Sequence, residues 1–465
     1  MQRVHFIAIG GAAMHNLAIA LSKKNNYKVT GSDDEIFEPS YSRLKEHGLL
    51  PEKMGWDPDR IHNGLNAVIL GMHAREDNPE LLKAKELGLK IYSFPEYLYQ
   101  QTRNKTRIVV GGSHGKTTTT AMILFVLNKL KIETDYMVGA QIEGFENMVR
   151  LSYDSRIAVF EGDEYLTSPL DPRPKFHLYH PHIAILTGIA WDHMNVFPTF
   201  ENYLEQFKKF TDLIELQGRL IYFDGDENLN KIVQQLRRDI VAFPYHTPSY
   251  ELRNGITWLK TKNREIPLKI FGEHNLQNLS AAHIACHQIG ISDDDFFTAI
   301  SEFPGASNRL EKLAENNDTV VFKDFAHSPS KVRATIKAVR QQYPHRKLIA
   351  CLELHTFSSL IEDFLPQYAD CMDQADEAMV YYDPEIITQK RLKQFEPEQV
   401  KKGFGRADLQ VYTNKEDLEK ALKSIDYKNS AILFMSSGNF SGLDVNKIVN
   451  EKIHCETDEK TRTYE

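Results

Sequence analysis

Cysteine is scarce in this chain. Four are scattered over 465 residues, at Cys286, Cys351, Cys371 and Cys455, and none forms a CxxC pair. That excludes a disulfide framework and a cysteine-built zinc site, and it fits reduced thiols. Long apolar runs are also missing: no stretch approaches the roughly 18 residues that a membrane-spanning helix needs. The start, MQRVHFIAIGG, goes straight into a strand without the layout of a signal peptide, so a cytoplasmic protein is the expectation. There is no excess of basic residues either. With 56 Lys and Arg against 64 Asp and Glu the net charge is −8, which excludes a broad nucleic-acid footprint. Nothing is of low complexity, and the length predicts about three domains, not one core.

Against these absences one stretch stands out, RIVVGGSHGKTTTTAMILFV over 107–126. Ile108, Val109 and Val110 read as a buried strand, and Ala121, Met122, Leu124 and Phe125 recur at helical spacing. Between them lie Gly111, Gly112, Ser113, His114, Gly115, Lys116, Thr117 and Thr118. A strand that turns through glycines into a helix points backbone N–H groups and a positive dipole end at one spot, which suits a phosphate chain. Lys116 supplies a cation for the outer phosphates, and the Thr117 hydroxyl is a ligand for Mg²⁺. The longer phosphate-loop pattern asks for glycine where Val110 stands, so only its shorter form is met. The expectation is an ATP site.

Earlier in the chain, RVHFIAI, Gly10, Gly11, a helix from about Met14 to Leu21 and a second strand ending at Asp33 outline a nucleotide-binding βαβ unit. Ala8, Gly10 and Ala13 occupy the glycine positions of the GxGxxG fingerprint, so a βαβ unit without a ligand is the other reading. Strands at 67–71 and 90–94 complete this part, and QQTRNKT (100–106) reads as a linker. Further on, RIAVFEGDEY delivers Glu161, Asp163 and Glu164 at a strand end, and HIAILTGIAWDHMNVF delivers Asp192 and His193. Ligands of parallel α/β sheets lie beyond the carboxyl ends of strands, so Lys116, Thr117, Glu161 and His193 are expected to converge on Mg²⁺ and ATP. Singly, Glu161 reads equally as a solvated acid and His193 as a structural histidine. A long amphipathic helix carries Lys208 and Lys209. GEHNLQN then sets His274, Asn275 and Asn278 at a helix start; three residues apart, the two asparagines can share a face and bond a planar base edge. The hinge SEFPGASNRLEKL leads to a third α/β region whose strand ends offer Asp324, His327, His355, Ser436 and Ser437. The chain beyond about Glu451 reads as a solvated tail.

Taken together and in this order, GSHGKTTTT, EGDEY, DHMNVF, GEHNLQN, ASNRLE and KDFAHSP resemble the Mur ligase family over nearly the whole chain. The resemblance implies three α/β domains: a Rossmann-like UDP-sugar domain (1–104), a central P-loop ATPase-like domain (105–304) and a Rossmann-like ligase domain (305–465). It implies an ATP- and Mg²⁺-dependent enzyme forming an amide on UDP-N-acetylmuramate in peptidoglycan metabolism. Gly112 to Thr118 would hold the phosphates, Thr117, Glu161 and His193 the metal, and Asn275 and Asn278 the adenine side. Arg309 and Asp324 would reach the nucleotide on closure, and His327 would face the incoming amine. Gly10, Gly11, Ser32, Asp33, His73, Asn78 and His355 would bind substrates, and Lys208 stands about where other members carry a carbamylated lysine. The sequence is most similar to the branch that adds either L-alanine or the recycled tripeptide L-alanyl-γ-D-glutamyl-meso-diaminopimelate. HFIAIGGAAMHNLA, DPRPKFHLY and VFKDFAHSP lean toward the tripeptide, whereas CLELHTFSS lacks the arginine expected in that loop. An ATP-binding scaffold without catalysis is the alternative of another class.

Overall fold

The computed structural model describes the backbone of residues 1–461 apart from 143, 192–195 and 254, with side chains through residue 453. Those residues pack as two units. One holds Met1–Trp191, Val196–His246 and Asn278–Ile300; the other holds Thr247–Gln277 and the chain from Ser301 onward.

In the first unit, strands β1 (Gln2–Ile7), β2 (Tyr27–Ser32), β3 (Ala67–Leu70) and β4 (Ile91–Ser93) form a parallel sheet of order β2-β1-β3-β4. Alternation along β1 decides its faces. Val4 and Phe6 join the core that holds Leu17 and Leu21 of the helix Ala12–Ser22, while Ile7 joins a smaller cluster with Val68, Leu70 and Leu81. The expected linker is shorter than QQTRNKT: the helix Phe94–Thr102 runs through Gln100, Gln101 and Thr102, because Ser93 and Glu96 start it with a capping box.

The larger sheet of the same unit comprises β5 (Thr106–Gly111), β6 (Thr134–Met137), β7 (Val149–Arg150), β8 (Ile157–Glu161), β11 (Ile183–Leu186), β12 (Arg219–Phe223) and β13 (Val241–Tyr245). Its order is β13-β12-β11-β5-β8-β6-β7, parallel except for β6–β7. β5 is flanked by β11 and β8, so Gly111, Leu186 and Glu161 end side by side. A ribbon of β9 (Leu166–Ser168) and β10 (Asp171–Pro174) follows β8. Behind β5, Phe176 stacks on Phe210 at 4.6 Å and meets Phe207 edge-on at 5.6 Å, fixing the helix Phe200–Asp212.

Where the first sheet hands over to the second, Arg107 is fully buried and satisfied. Its guanidinium donates to the carbonyls of Thr102, Arg103, Lys105, Tyr179 and His180 at 2.9–3.2 Å and to Glu215 Oε1 at 2.6 Å.

The second unit carries an antiparallel sheet of β14 (Tyr250–Arg253), β15 (Ile256–Lys260) and β16 (Glu265–Leu268). It also carries β17 (Glu311–Glu315), β18 (Val320–Asp324), β19 (Lys347–Leu354), β20 (Glu377–Tyr382), β21 (Gln410–Tyr412) and β22 (Ser430–Met435). These six run β17-β18-β22-β19-β20-β21, parallel but for β17. At the chain end a helix spans Val445–Thr461, and Ile453 packs into the core beside β22; the side chains beyond it, where a solvated tail is expected, lie outside the described residues.

Replacing Arg107 by methionine removes the donor shared by five carbonyls and Glu215. Loss of one partner of such a network costs about 3–5 kcal/mol. Urea unfolding should show that loss, and an unchanged midpoint would contradict the role given to Arg107.

Candidate active site

At the end of β5 the backbone makes the turn that the glycines permit. Gly112 has φ 127° and Gly115 φ 73°, both in the left-handed region. A Cβ on Gly112 would collide with the Thr187 hydroxyl, and one on Gly115 with the Asn278 amide oxygen. The turn is pinned from below. Ser113 N–H donates to Gly188 O at 2.9 Å, Ala190 N–H donates to Ser113 Oγ at 2.9 Å, and Ser113 Oγ lies 2.9 Å from Tyr203 OH. Thr187 Oγ1 bonds the His114 carbonyl. The helix Lys116–Lys129 starts here, with Gly115 at its N-cap and no side chain capping it, so its first N–H groups face the cradle.

Lys116 Nζ donates to Gly112 O at 2.7 Å and to Glu164 Oε2 at 2.7 Å. Burial pulls its pKa down, but Glu164, Asp163 and Glu161 outweigh burial and hold it above the ordinary lysine value. Thr117 Oγ1 donates to Glu161 Oε1 at 2.7 Å, and Gly139 N–H donates to Glu161 Oε2 at 2.7 Å. A cation, a hydroxyl and two carboxylates therefore surround one left-handed glycine loop. Hard oxygen donors of this kind, few in number, fit Mg²⁺ held largely through phosphate oxygens.

Two residues of this cluster, Tyr203 and Thr187, escaped the sequence reading, and the role of a third was missed. Glu164 was visible as a strand-end acid, but nothing local marked it as the partner of Lys116. Tyr203 donates to Glu164 Oε1 at 3.2 Å from a helix 39 residues away, and Thr187 buttresses the loop from the end of β11. His193 and Asp192 lie outside the described residues. Lys208 is exposed on the helix whose Phe207 and Phe210 are buried. Thr118 is buried in the first turn beside Thr117.

Asn278 stands against Gly115 in the first unit. Asn275 belongs to the second, where its Nδ2 donates to Phe271 O at 2.9 Å. Asp324, also in the second unit and buried, accepts from Leu310 N–H and Ala326 N–H at 2.7 Å each. The Arg309 guanidinium lies over the Phe325 ring at 4.4 Å, and the His327 ring meets the Phe325 carbonyl at 2.9 Å. His355 follows β19, 3.8 Å from the buried Glu353.

In the first sheet, Gly10 N–H donates to Asp33 Oδ2 at 2.7 Å, which joins the turn after β1 to the end of β2. Ser32 is buried on Glu80, Asn78 caps the helix Pro79–Glu86, and His73 is exposed beyond β3. Ala8 takes φ 65° where the fingerprint has its first glycine, a strain of about 1–2 kcal/mol. The turn after β1 thus keeps a left-handed residue at this position without a glycine.

Comparison with known proteins bears on the whole arrangement. Models of the Mur ligase family match residues 3–106 (catalytic domain), 110–286 (middle domain) and 308–438 (glutamate ligase domain). A UDP-N-acetylmuramate–L-alanine ligase of Caldicellulosiruptor bescii is 32% identical over 393 residues, covering 82% of this chain and 83% of the relative. This chain belongs to the Mur ligase family. It is an ATP-dependent ligase with the family's three-part α/β architecture. Among solved structures, the murein peptide ligase of Psychrobacter arcticus is similar with a TM-score of 0.66 and 23% identity, over 97% of this chain and 98% of that one. The UDP-N-acetylmuramate–alanine ligase of Thermotoga maritima gives 0.69 and 21%, over 99% and 100%.

Burial, opposed by the Gly10 amide and assisted by Asp34, raises the Asp33 carboxyl from 3.8 to about 6. A carboxyl with a raised folded-state pKa gives up stability as pH climbs from its unfolded value through its folded one. The stability of the wild type relative to Asp33→Asn should therefore fall between about pH 4 and pH 6 in urea titrations. A difference that stays flat would contradict the raised value.

Proposed function

We propose that this Mur ligase joins the tripeptide L-alanyl-γ-D-glutamyl-meso-diaminopimelate to UDP-N-acetylmuramate, using ATP and passing through an acyl phosphate. The observation that carries the ligase chemistry is Lys116, held on the Gly112 carbonyl and Glu164 beside the Thr117–Glu161 pair. The muramate carboxylate attacks the γ-phosphorus and ADP leaves. Both reactants are anions, so a fixed cation and aligned loop amides lower the barrier by stabilising charge as it moves. The free amine then attacks the acyl carbon, and phosphate departs with one oxygen of the original carboxylate. Thr117 and Glu161 are the side chains that would hold Mg²⁺, whose charge screens the phosphates when it is bound. Gly10, Gly11, Ser32, Asp33, His73 and Asn78 are assigned to the UDP-sugar, and His327 and His355, beyond the ends of β18 and β19, to the incoming amine. The parts 1–104, 105–304 and 305–465 are proposed as the UDP-sugar, ATP and amine domains.

The choice of tripeptide is supported by HFIAIGGAAMHNLA, DPRPKFHLY and VFKDFAHSP, which lean toward peptide-joining members. A second reading, L-alanine as the amine and a biosynthetic rather than recycling role, is favoured by the name of the 32% identical relative.

Phosphate release with ATP, Mg²⁺ and UDP-N-acetylmuramate separates the two. Turnover is expected with the tripeptide and not with L-alanine alone; the reverse would overturn the tripeptide assignment. Lys116→Ala should lower kcat by at least about 10²–10³-fold while circular dichroism stays native. Retained turnover would sink the role of the loop.

A further inference from the structure

A cavity of about 550 Å³ opens along β2, the edge strand of the first sheet, with Arg3 and His5 of β1 in its wall. Its lining on β2 runs from Lys28 to Gly31. Gly10 and Asp33, assigned above to the UDP-sugar, stand beyond the carboxyl ends of the same strands. Its volume is in the range of small-molecule sites.

Cations reach its wall from three separate segments: Arg3 on β1, Lys28 paired opposite it on β2, and Arg60 in the turn Pro58–Arg60. Leu49, Leu50 and Leu65 supply an apolar side, while Glu52 and Asp59 leave a small positive excess in the lining. Arg60 is the least exposed of the three. Its Nη2 donates to the Lys53 carbonyl at 3.0 Å and its Nε lies 4.0 Å from Asp57, which hold the guanidinium at the wall.

The wall is also wired to the far end of the sheet. His5, 1% exposed, meets Thr30 Oγ1 at 2.9 Å, Glu80 Oε2 at 3.2 Å and Ser32 Oγ at 3.3 Å. Glu80, wholly buried, also accepts from Asp57 N–H at 2.8 Å, and Asp57 caps the turn that carries Arg60. Gly55 N–H donates to the Asp33 carbonyl at 2.7 Å. Both ends of the wall segment are therefore tied to the residues that close β2.

We infer that this cavity is a second ligand site, for a small organic oxyanion bearing a phosphate or carboxylate on a short apolar body. Arg60, Lys28 and Arg3 grip the oxyanion and the leucines cover the body. The binding does not rest on the proposed UDP-sugar assignment.

Phenyl phosphate and benzoate are the probes, one for each source of the oxyanion. Their binding is measured by ligand-detected NMR on the full chain with ADP and UDP present in excess to fill the nucleotide sites. Saturable binding is expected for at least one, and the tighter of the two identifies the preferred head group. Arg60→Met and Lys28→Ala should each weaken it by about tenfold, the worth of one charge-assisted hydrogen bond. Lys28 is exposed, so its variant tests the site without loading the fold. Absence of saturable binding for both probes, or binding that both variants leave unchanged, would overturn the inference. Neither readout needs ligase turnover, so failure of the tripeptide assignment leaves this test intact.

Discussion

The ion pair between Lys116 and Glu164 is the contact around which the first unit is arranged. It is made in a place that water scarcely reaches: Glu164 is 1% exposed and the lysine side chain 16%. Such a pair repays its desolvation only when further hydrogen bonds complete it. Here the Gly112 carbonyl takes one lysine proton and Tyr203 donates to the second carboxylate oxygen. Tyr203 in turn meets Ser113 inside the loop, so helix, loop and strand end share one network. The three acids around Lys116 keep it charged, and a charged lysine at the N-terminus of a helix is what an incoming phosphate chain requires.

The same reasoning shows why parts of the site were legible in the sequence. Ile108 to Val110, Ala158 to Phe160 and Ile183 to Leu186 are short apolar runs because their strands are buried on both faces of a parallel sheet. The first run leads into the glycine loop, the second into Glu161 and the third into Thr187, all at the carboxyl edge, so Lys116, Thr117 and Glu161 could be placed together before any coordinates. Glu164 could not be paired from sequence. Its partner choice depends on Tyr203, 39 residues on, and on how the ribbon β9–β10 turns the chain away after β8.

Elsewhere the letters misled or were silent. Ala8 hid a left-handed turn behind a residue that seldom adopts one. The sheet β14–β16 gave little signal because β15 turns Thr257 as well as Leu259 inward and leaves Ile256 exposed. Near the chain end Ile448, Val449 and Ile453 supply the apolar stripe that anchors the helix Val445–Thr461. Asn275 and Asn278 share a helix, as their spacing implied, but one bonds its own preceding turn while the other stands against Gly115.

The central claim is chemical: the cradle built on Lys116 activates a carboxylate by making it an acyl phosphate. It is tested most directly with UDP-N-acetylmuramate carrying ¹⁸O in both carboxylate oxygens, by mass spectrometry of the phosphate released on amide formation. The account predicts that each phosphate carries one ¹⁸O atom taken from the carboxylate. Unlabelled phosphate, with amide still formed, would contradict it.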